Sequence, residues 1–81
     1  MMSKVQPNSI VGTEGPYLEL RDILKPKHYS TTTQVYKMRG RYKGHLLEFR
    51  ADRSGFHEVV FLGKPDPHIR KELRKLAGLK T

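Results

Sequence analysis

Apolar and charged residues alternate most clearly between Tyr36 and Tyr42. In this stretch the large apolar side chains occupy even-numbered positions, and the cations Lys37, Arg39 and Arg41 occupy odd-numbered ones. Because successive side chains of a strand point to opposite faces, this period of two predicts a half-buried strand. The three cations are then expected to share one face of a sheet.

Two turn signals divide the following chain into two more predicted strands. Residues 43–44 are Lys-Gly, and glycine supplies the positive φ that a tight hairpin turn needs, so residues 45–51 are expected to return antiparallel. Residues 52–55 give the second turn signal. The apolar run at 56–62 is typical of a strand covered on both faces. Together these segments predict a three-stranded antiparallel meander.

The C-terminal part carries the best-defined helix signal. Asp66 is suited to cap the helix, Pro67 fits its first position, and Gly78 stands where a left-handed residue ends one. We therefore expect an amphipathic helix from about Pro67 to Ala77. Its predicted apolar stripe consists of Ile69, Leu73 and Leu76.

The N-terminal part is less regular. Residues 1–15 predict a flexible or extended arm, and residues 16–81 a single small domain. Residues 16–24 fit either a short helix that begins at Pro16 or a strand, and we favour the helix. Residues 25–33 are read as a polar connection, and its last threonines are also compatible with the start of a strand. The predicted fold is α+β, with a three-stranded meander packed by the C-terminal helix and a short N-terminal helix.

Charge indicates the class of partner. The 81 residues include 16 Lys and Arg against 8 Asp and Glu, which gives a net charge of +8. Such an excess attracts polyanions, so we expect a small basic nucleic-acid-binding protein with a regulatory role. DNA is slightly favoured over RNA, because a cationic two-stranded ribbon suits a major groove. The predicted nucleic-acid-binding residues are Lys37, Arg39, Arg41, Lys43, Arg50, Arg53, Arg70, Lys71, Arg74 and Lys75.

Composition also narrows the chemistry. The chain has no Cys, which excludes disulfides, thiolate catalysis and cysteine-ligated zinc. The four histidines show no metal-ligand spacing, so neither a metal nor a cofactor is expected. No segment has the length and apolarity of a signal peptide or membrane span, so we expect a cytoplasmic protein without a membrane partner. The oligomeric state, including a dimer, stays open.

The aromatic residues are expected to serve mainly as core. Tyr36, Tyr42 and Phe49 fall on the apolar phase of their strands, which argues against stacking on bases. Tyr29, in the polar connection, and Phe56, beside a turn, are the exceptions.

Part of the sequence resembles a known family. The resemblance rests on 43–45 (Lys-Gly-His), 52–55 (Asp-Arg-Ser-Gly), the hydrophobic strand after them and 69–79, which ends Leu-Ala-Gly-Leu. These residues resemble small HicA-type toxins, which are ribonucleases with a double-stranded-RNA-binding-like fold. The resemblance implies a catalytic histidine at His45. In this ribonuclease reading, we expect Arg39 and Arg41 to hold phosphate.

Three functions are therefore open from the sequence. The first is nucleic-acid binding without catalysis, which we favour over an enzyme. The second is a ribonuclease toxin that uses His45. The third is an adaptor or inhibitor that docks its basic surface on an acidic protein.

Overall fold

The computed structural model describes residues 8–31 and 35–79, which form a five-stranded sheet and two helices. In chain order the elements are β1 (Ser9–Val11), α1 (Glu14–Leu24), β2 (Lys27–Thr31), β3 (Val35–Tyr42), β4 (His45–Asp52), β5 (His57–Phe61) and α2 (Pro67–Leu76). The first half of the expected N-terminal arm, residues 1–7, lies outside the described residues.

The sheet is antiparallel throughout, in the order β1-β5-β4-β3-β2. The predicted meander, β3-β4-β5, forms its centre. In the β3–β4 pair, Met38 lies opposite Phe49 and Gly40 opposite Leu47. The turn between these strands has positive φ at both Lys43 (48°) and Gly44 (83°), which matches the twist of the strands.

Both helices pack on one face of the sheet. The core between the layers contains Tyr17 and Leu20 of α1, Leu73 of α2, and Phe49 of β4, all exposed by 2% or less. The Tyr17 and Phe49 rings meet edge to face, with centroids 5.7 Å apart. No helix in the described part of the chain is long and apolar enough to cross a membrane.

The chain leaves α1 close to the sheet. Lys25 ends the helix in the left-handed conformation, with φ of 50°. A Cβ added to Gly40 of β3 would lie 3.3 Å from Cβ of Pro26. Glycine at this position therefore leaves room for the chain as it turns from α1 into β2.

The α+β class is confirmed, but the predicted number of strands was wrong. The sheet has five strands because β1 and β2 are added at its two edges. Residues 25–33 were read as a connection, yet β2 lies within them. Residues 16–24 form a helix, as favoured, and it begins slightly earlier, at Glu14.

The C-terminal helix is confirmed with one change in its buried stripe. Asp66 accepts hydrogen bonds from the main-chain N–H groups of His68 and Ile69, and Pro67 follows it. Ile69, Leu73 and Ala77 are buried, whereas Leu76 is 40% exposed. The spacing of four residues, not the expected step from Leu73 to Leu76, keeps the buried positions on one side of α2.

We expect Leu73→Ala to lower the free energy of unfolding by about 2–5 kcal/mol, because it leaves a cavity between the layers. Leu76→Ala is the matched control on the same helix, and its partly exposed side chain predicts a loss below about 1 kcal/mol. Urea unfolding followed by circular dichroism measures both. Equal losses for the two variants would contradict the described packing of α2.

Candidate nucleic-acid interface

The sheet face turned away from α1 and α2, which we call the open face, carries most of the cations of the strands. Residues paired across strands share a face, so the register assigns them to it. The open face includes Lys27 of β2, Lys37, Arg39 and Arg41 of β3, Glu48 and Arg50 of β4, and Glu58 of β5. Asp52, at the end of β4, also lies on this face, so five cations stand against three carboxylates. The expectation that Lys37, Arg39 and Arg41 share one face is confirmed.

A buried carboxylate lies at the centre of the open face. Glu48 is 3% exposed. Its Oε1 accepts a hydrogen bond from Nε of Arg50 at 2.6 Å, and its Oε2 accepts one from Nε of Arg39 at 3.4 Å. Both guanidinium groups are therefore held by one carboxylate.

The protonation state of Glu48 follows from the same contacts. Burial by itself raises the pKa of Glu48. The hydrogen bond and charge of Arg50, the hydrogen bond of Arg39 and the charge of Lys37 outweigh burial, so the pKa lies below its ordinary value. Glu48 is ionised at neutral pH and binds the two arginines as an anion.

An aromatic ring adjoins this cluster. The guanidinium carbon of Arg39 lies 3.7 Å from the centre of the Tyr29 ring, within cation–π distance. Tyr29 is 49% exposed. It belongs to β2, where the pairing with β3 is irregular between His28 and Ser30. The sequence signalled Tyr29 only as an aromatic residue in a polar segment, because its contact with Arg39 depends on this irregular pairing.

The three aromatic residues on the apolar phase of β3 and β4 differ in how far they are buried. Phe49 is fully buried and Tyr42 is half-buried, as expected for core residues. Tyr36 is 41% exposed, so its assignment to the core was wrong. Tyr36 pairs with the small Ala51 near one end of the sheet. Phe56, in the last turn of the meander, is 44% exposed.

The remaining predicted cations lie elsewhere. Lys43 lies in the β3–β4 turn and donates to Oε1 of Glu72 at 2.9 Å. Arg53 is exposed in the turn at the other end of β4. Arg70 and Arg74 belong to α2, and they donate to the main-chain carbonyls of Ser9 at 3.0 Å and Ile10 at 2.7 Å. Lys71 and Lys75 are exposed on the same helix.

The structure therefore divides the predicted residues between two sides of the sheet. Lys37, Arg39, Arg41 and Arg50 are on the open face, whereas Arg70, Lys71, Arg74 and Lys75 are in the helix layer. A single straight nucleic acid contacts one of these sides at a time. The β3–β4 hairpin is also flanked by β2 and β5, so it is not a free ribbon. Five strands span about 19 Å, wider than a major groove of about 12 Å.

His45 lies on the helix side of the sheet. Its Nε2 is 3.6 Å from Oδ2 of Asp66, and its ring meets Phe61 edge to face, with centroids 5.8 Å apart. Arg39 and Arg41 lie on the open face. The structure therefore does not bring His45 together with these two arginines, as the ribonuclease alternative requires.

Replacement of Glu48 by glutamine is expected to lower the free energy of unfolding by about 1–3 kcal/mol at pH 7, because the bonds to Arg39 and Arg50 lose their anion. A carboxylate with a lowered pKa contributes stability above its unfolded-state pKa of about 4.3, and this contribution disappears as the pH falls through the folded-state value. The difference between wild type and Glu48→Gln should therefore shrink below about pH 4.

Urea titrations from pH 3 to pH 7 measure this difference. Glu19→Gln, on the exposed surface of α1, is the matched control and should show little change. A difference for Glu48→Gln that persists unchanged at pH 3 would show that Glu48 does not act as an anion.

Known proteins supply no family for this chain. Comparison with protein-family models finds no match, and neither curated proteins nor solved structures match it. The resemblance to HicA-type toxins stays a prediction, and function is inferred from the geometry of the open face.

Proposed function

We propose that the chain binds single-stranded nucleic acid, RNA or DNA, on the open face of its sheet. The observation that carries the proposal is the arrangement around Arg39. Glu48 accepts a hydrogen bond from the Nε atom of Arg39, and the guanidinium carbon of Arg39 lies over the partly exposed ring of Tyr29. A phosphate-binding cation and a surface for a base are thus adjacent.

The spacing of the cations suits an extended single strand of nucleic acid. Alternate residues of a β-strand lie about 6.6–6.8 Å apart. Lys37, Arg39 and Arg41 therefore form a row in which successive charges are separated by a distance comparable with that between phosphates of an extended single strand. Neutralising several phosphates releases condensed counterions, which supplies sequence-independent affinity.

Glu48 orders part of this surface and also reduces its positive charge. Its carboxylate cancels one of the positive charges near Arg39 and Arg50. In return, it binds the Nε atom of each arginine and so restricts the orientation of both guanidinium groups. A preordered side chain loses less conformational entropy when it binds a ligand. The terminal nitrogens of Arg39 stay available to donate to a phosphate.

A broad sheet face also suits unpaired bases better than a duplex. Proteins that bind single strands combine cations along the backbone with aromatic rings on which bases stack. Tyr29 is half-exposed and adjoins the cation row. The width of the sheet disfavours its entry into a groove, which is why single-stranded nucleic acid replaces duplex DNA as the proposed ligand.

We expect the double variant Lys37→Ala/Arg41→Ala to weaken binding of a fluorescent single-stranded oligonucleotide, because two phosphate contacts are lost. The slope of log K against log salt should fall by about 0.7 for each contact. Fluorescence anisotropy across a salt series measures both quantities, with single-stranded DNA, RNA and duplex DNA as probes.

The matched control is Lys71→Ala/Lys75→Ala, which removes the same charge from the exposed surface of α2. A larger loss in this control would place the ligand on the helix layer and contradict the proposal. Gels on the same samples report whether the RNA stays intact. Cleavage that disappears in His45→Ala would favour the ribonuclease alternative instead.

Tyr29→Ala is expected to weaken single-stranded binding by about 1–3 kcal/mol with little change in the salt slope, because a stacking surface is lost rather than a charge. Tyr36→Ala is the matched control, since Tyr36 is also partly exposed but lies on the helix side of the sheet. The same anisotropy assay compares them. Equal effects of the two variants would contradict a stacking role for Tyr29.

A further inference from the structure

A shallow pocket opens on the open face of the sheet, over β4, β5 and β1. Its volume is about 170 Å³. Its lining consists of Asn8, Ser9, Arg50, Glu58, Val60 and Phe61. Pockets for drug-sized ligands have volumes of about 300–1,000 Å³, so this one suits a smaller group.

The lining of the pocket combines an apolar side chain with a hydrogen-bond donor and a hydrogen-bond acceptor that lie side by side. Val60 is 6% exposed and supplies the apolar part. Nη1 of Arg50 lies 3.6 Å from Oε1 of Glu58, which places a guanidinium donor beside a carboxylate acceptor. The amide nitrogen of Asn8 donates to the carbonyl of Phe61 at 3.1 Å, which fixes that side chain at the rim.

We propose that this pocket binds a guanine base of the single-stranded ligand, an inference that rests on the proposed function. The Watson–Crick edge of guanine presents, in order, the two adjacent donors N2–H and N1–H and then the acceptor O6. Two adjacent donors match the two oxygens of the Glu58 carboxylate, and the acceptor matches the guanidinium group of Arg50.

The other bases match this pair of groups less well. Uracil offers a single N–H between two carbonyls, and adenine and cytosine each offer one amino group beside a ring-nitrogen acceptor. None of them presents two neighbouring donors to one carboxylate. The pocket is therefore expected to select guanine by hydrogen bonding, while its apolar part contacts any base.

The position of the pocket agrees with a single-stranded nucleic acid bound along β3. Arg50 lies directly opposite Lys37 in the β3–β4 pair, and Glu58 lies opposite Arg50 in the next pair. Two strand spacings amount to about 10 Å. A nucleotide whose phosphate contacts Lys37 thus directs its base across β4 toward Glu58.

The test uses labelled ten-residue oligouridines with guanine, inosine, adenine or cytosine at one central position. Anisotropy with the full chain should show the guanine probe binding at least about fivefold more tightly than uniform oligouridine. Inosine lacks the N2 amino group, so its advantage should be smaller. In Glu58→Gln the preference for guanine should disappear, whereas affinity for oligouridine should stay or rise because a negative charge is removed.

The control is Glu19→Gln on α1, which makes the same chemical change away from the pocket and should keep the preference. Equal affinities for all four bases in the wild-type chain, with salt-dependent binding retained, would overturn the guanine pocket and leave the proposed function intact. A preference that survives in folded Glu58→Gln would also overturn it. Absence of binding by every probe would overturn the proposed function itself.

Discussion

The pairing of β3 with β4 places Met38 opposite Phe49, and the location of the charged residues of these two strands follows from this register. Phe49 is fully buried beneath Tyr17 of α1, so its face must be the one that the helices cover. A shift of one residue in β4 would expose Phe49 and bury Arg50, which makes the register strongly specified. The odd-numbered cations of β3 are thereby fixed on the side away from the helices.

On that side, the buried carboxylate of Glu48 holds neighbouring cations in place and leaves the surface around it positively charged. Three neighbouring cations, Lys37, Arg39 and Arg50, would repel one another if no anion lay between them. Glu48 removes this repulsion and keeps a net positive charge around itself. The arrangement resembles what a binding surface requires, namely cations that are both held in place and incompletely neutralised.

Local sequence signals were sufficient for part of this architecture. Alternation predicted β3 and β4, and the Asp66-Pro67 pair predicted the start of α2, because these features depend on neighbours in the chain. The strand β2 was missed, since residues 27–31 are polar and become a strand only by pairing with β3. The side chosen by α2 was not predictable either, because it depends on packing between distant elements. The sharing of one face by the strand cations was therefore predictable, whereas their separation from the helix cations was not.

The two arginines of α2 that bind β1 also bear on how the chain assembles. Arg70 and Arg74 contact carbonyls 61 and 64 residues earlier in the sequence, the longest loop closures among the described hydrogen bonds. Each such contact must offset the entropy of closing the loop. β1 pairs with the outer edge of β5, whose Val59, Val60 and Phe61 are buried. An uncovered edge of this kind can pair with another chain, so the two arginines, by binding β1, help to keep that edge covered.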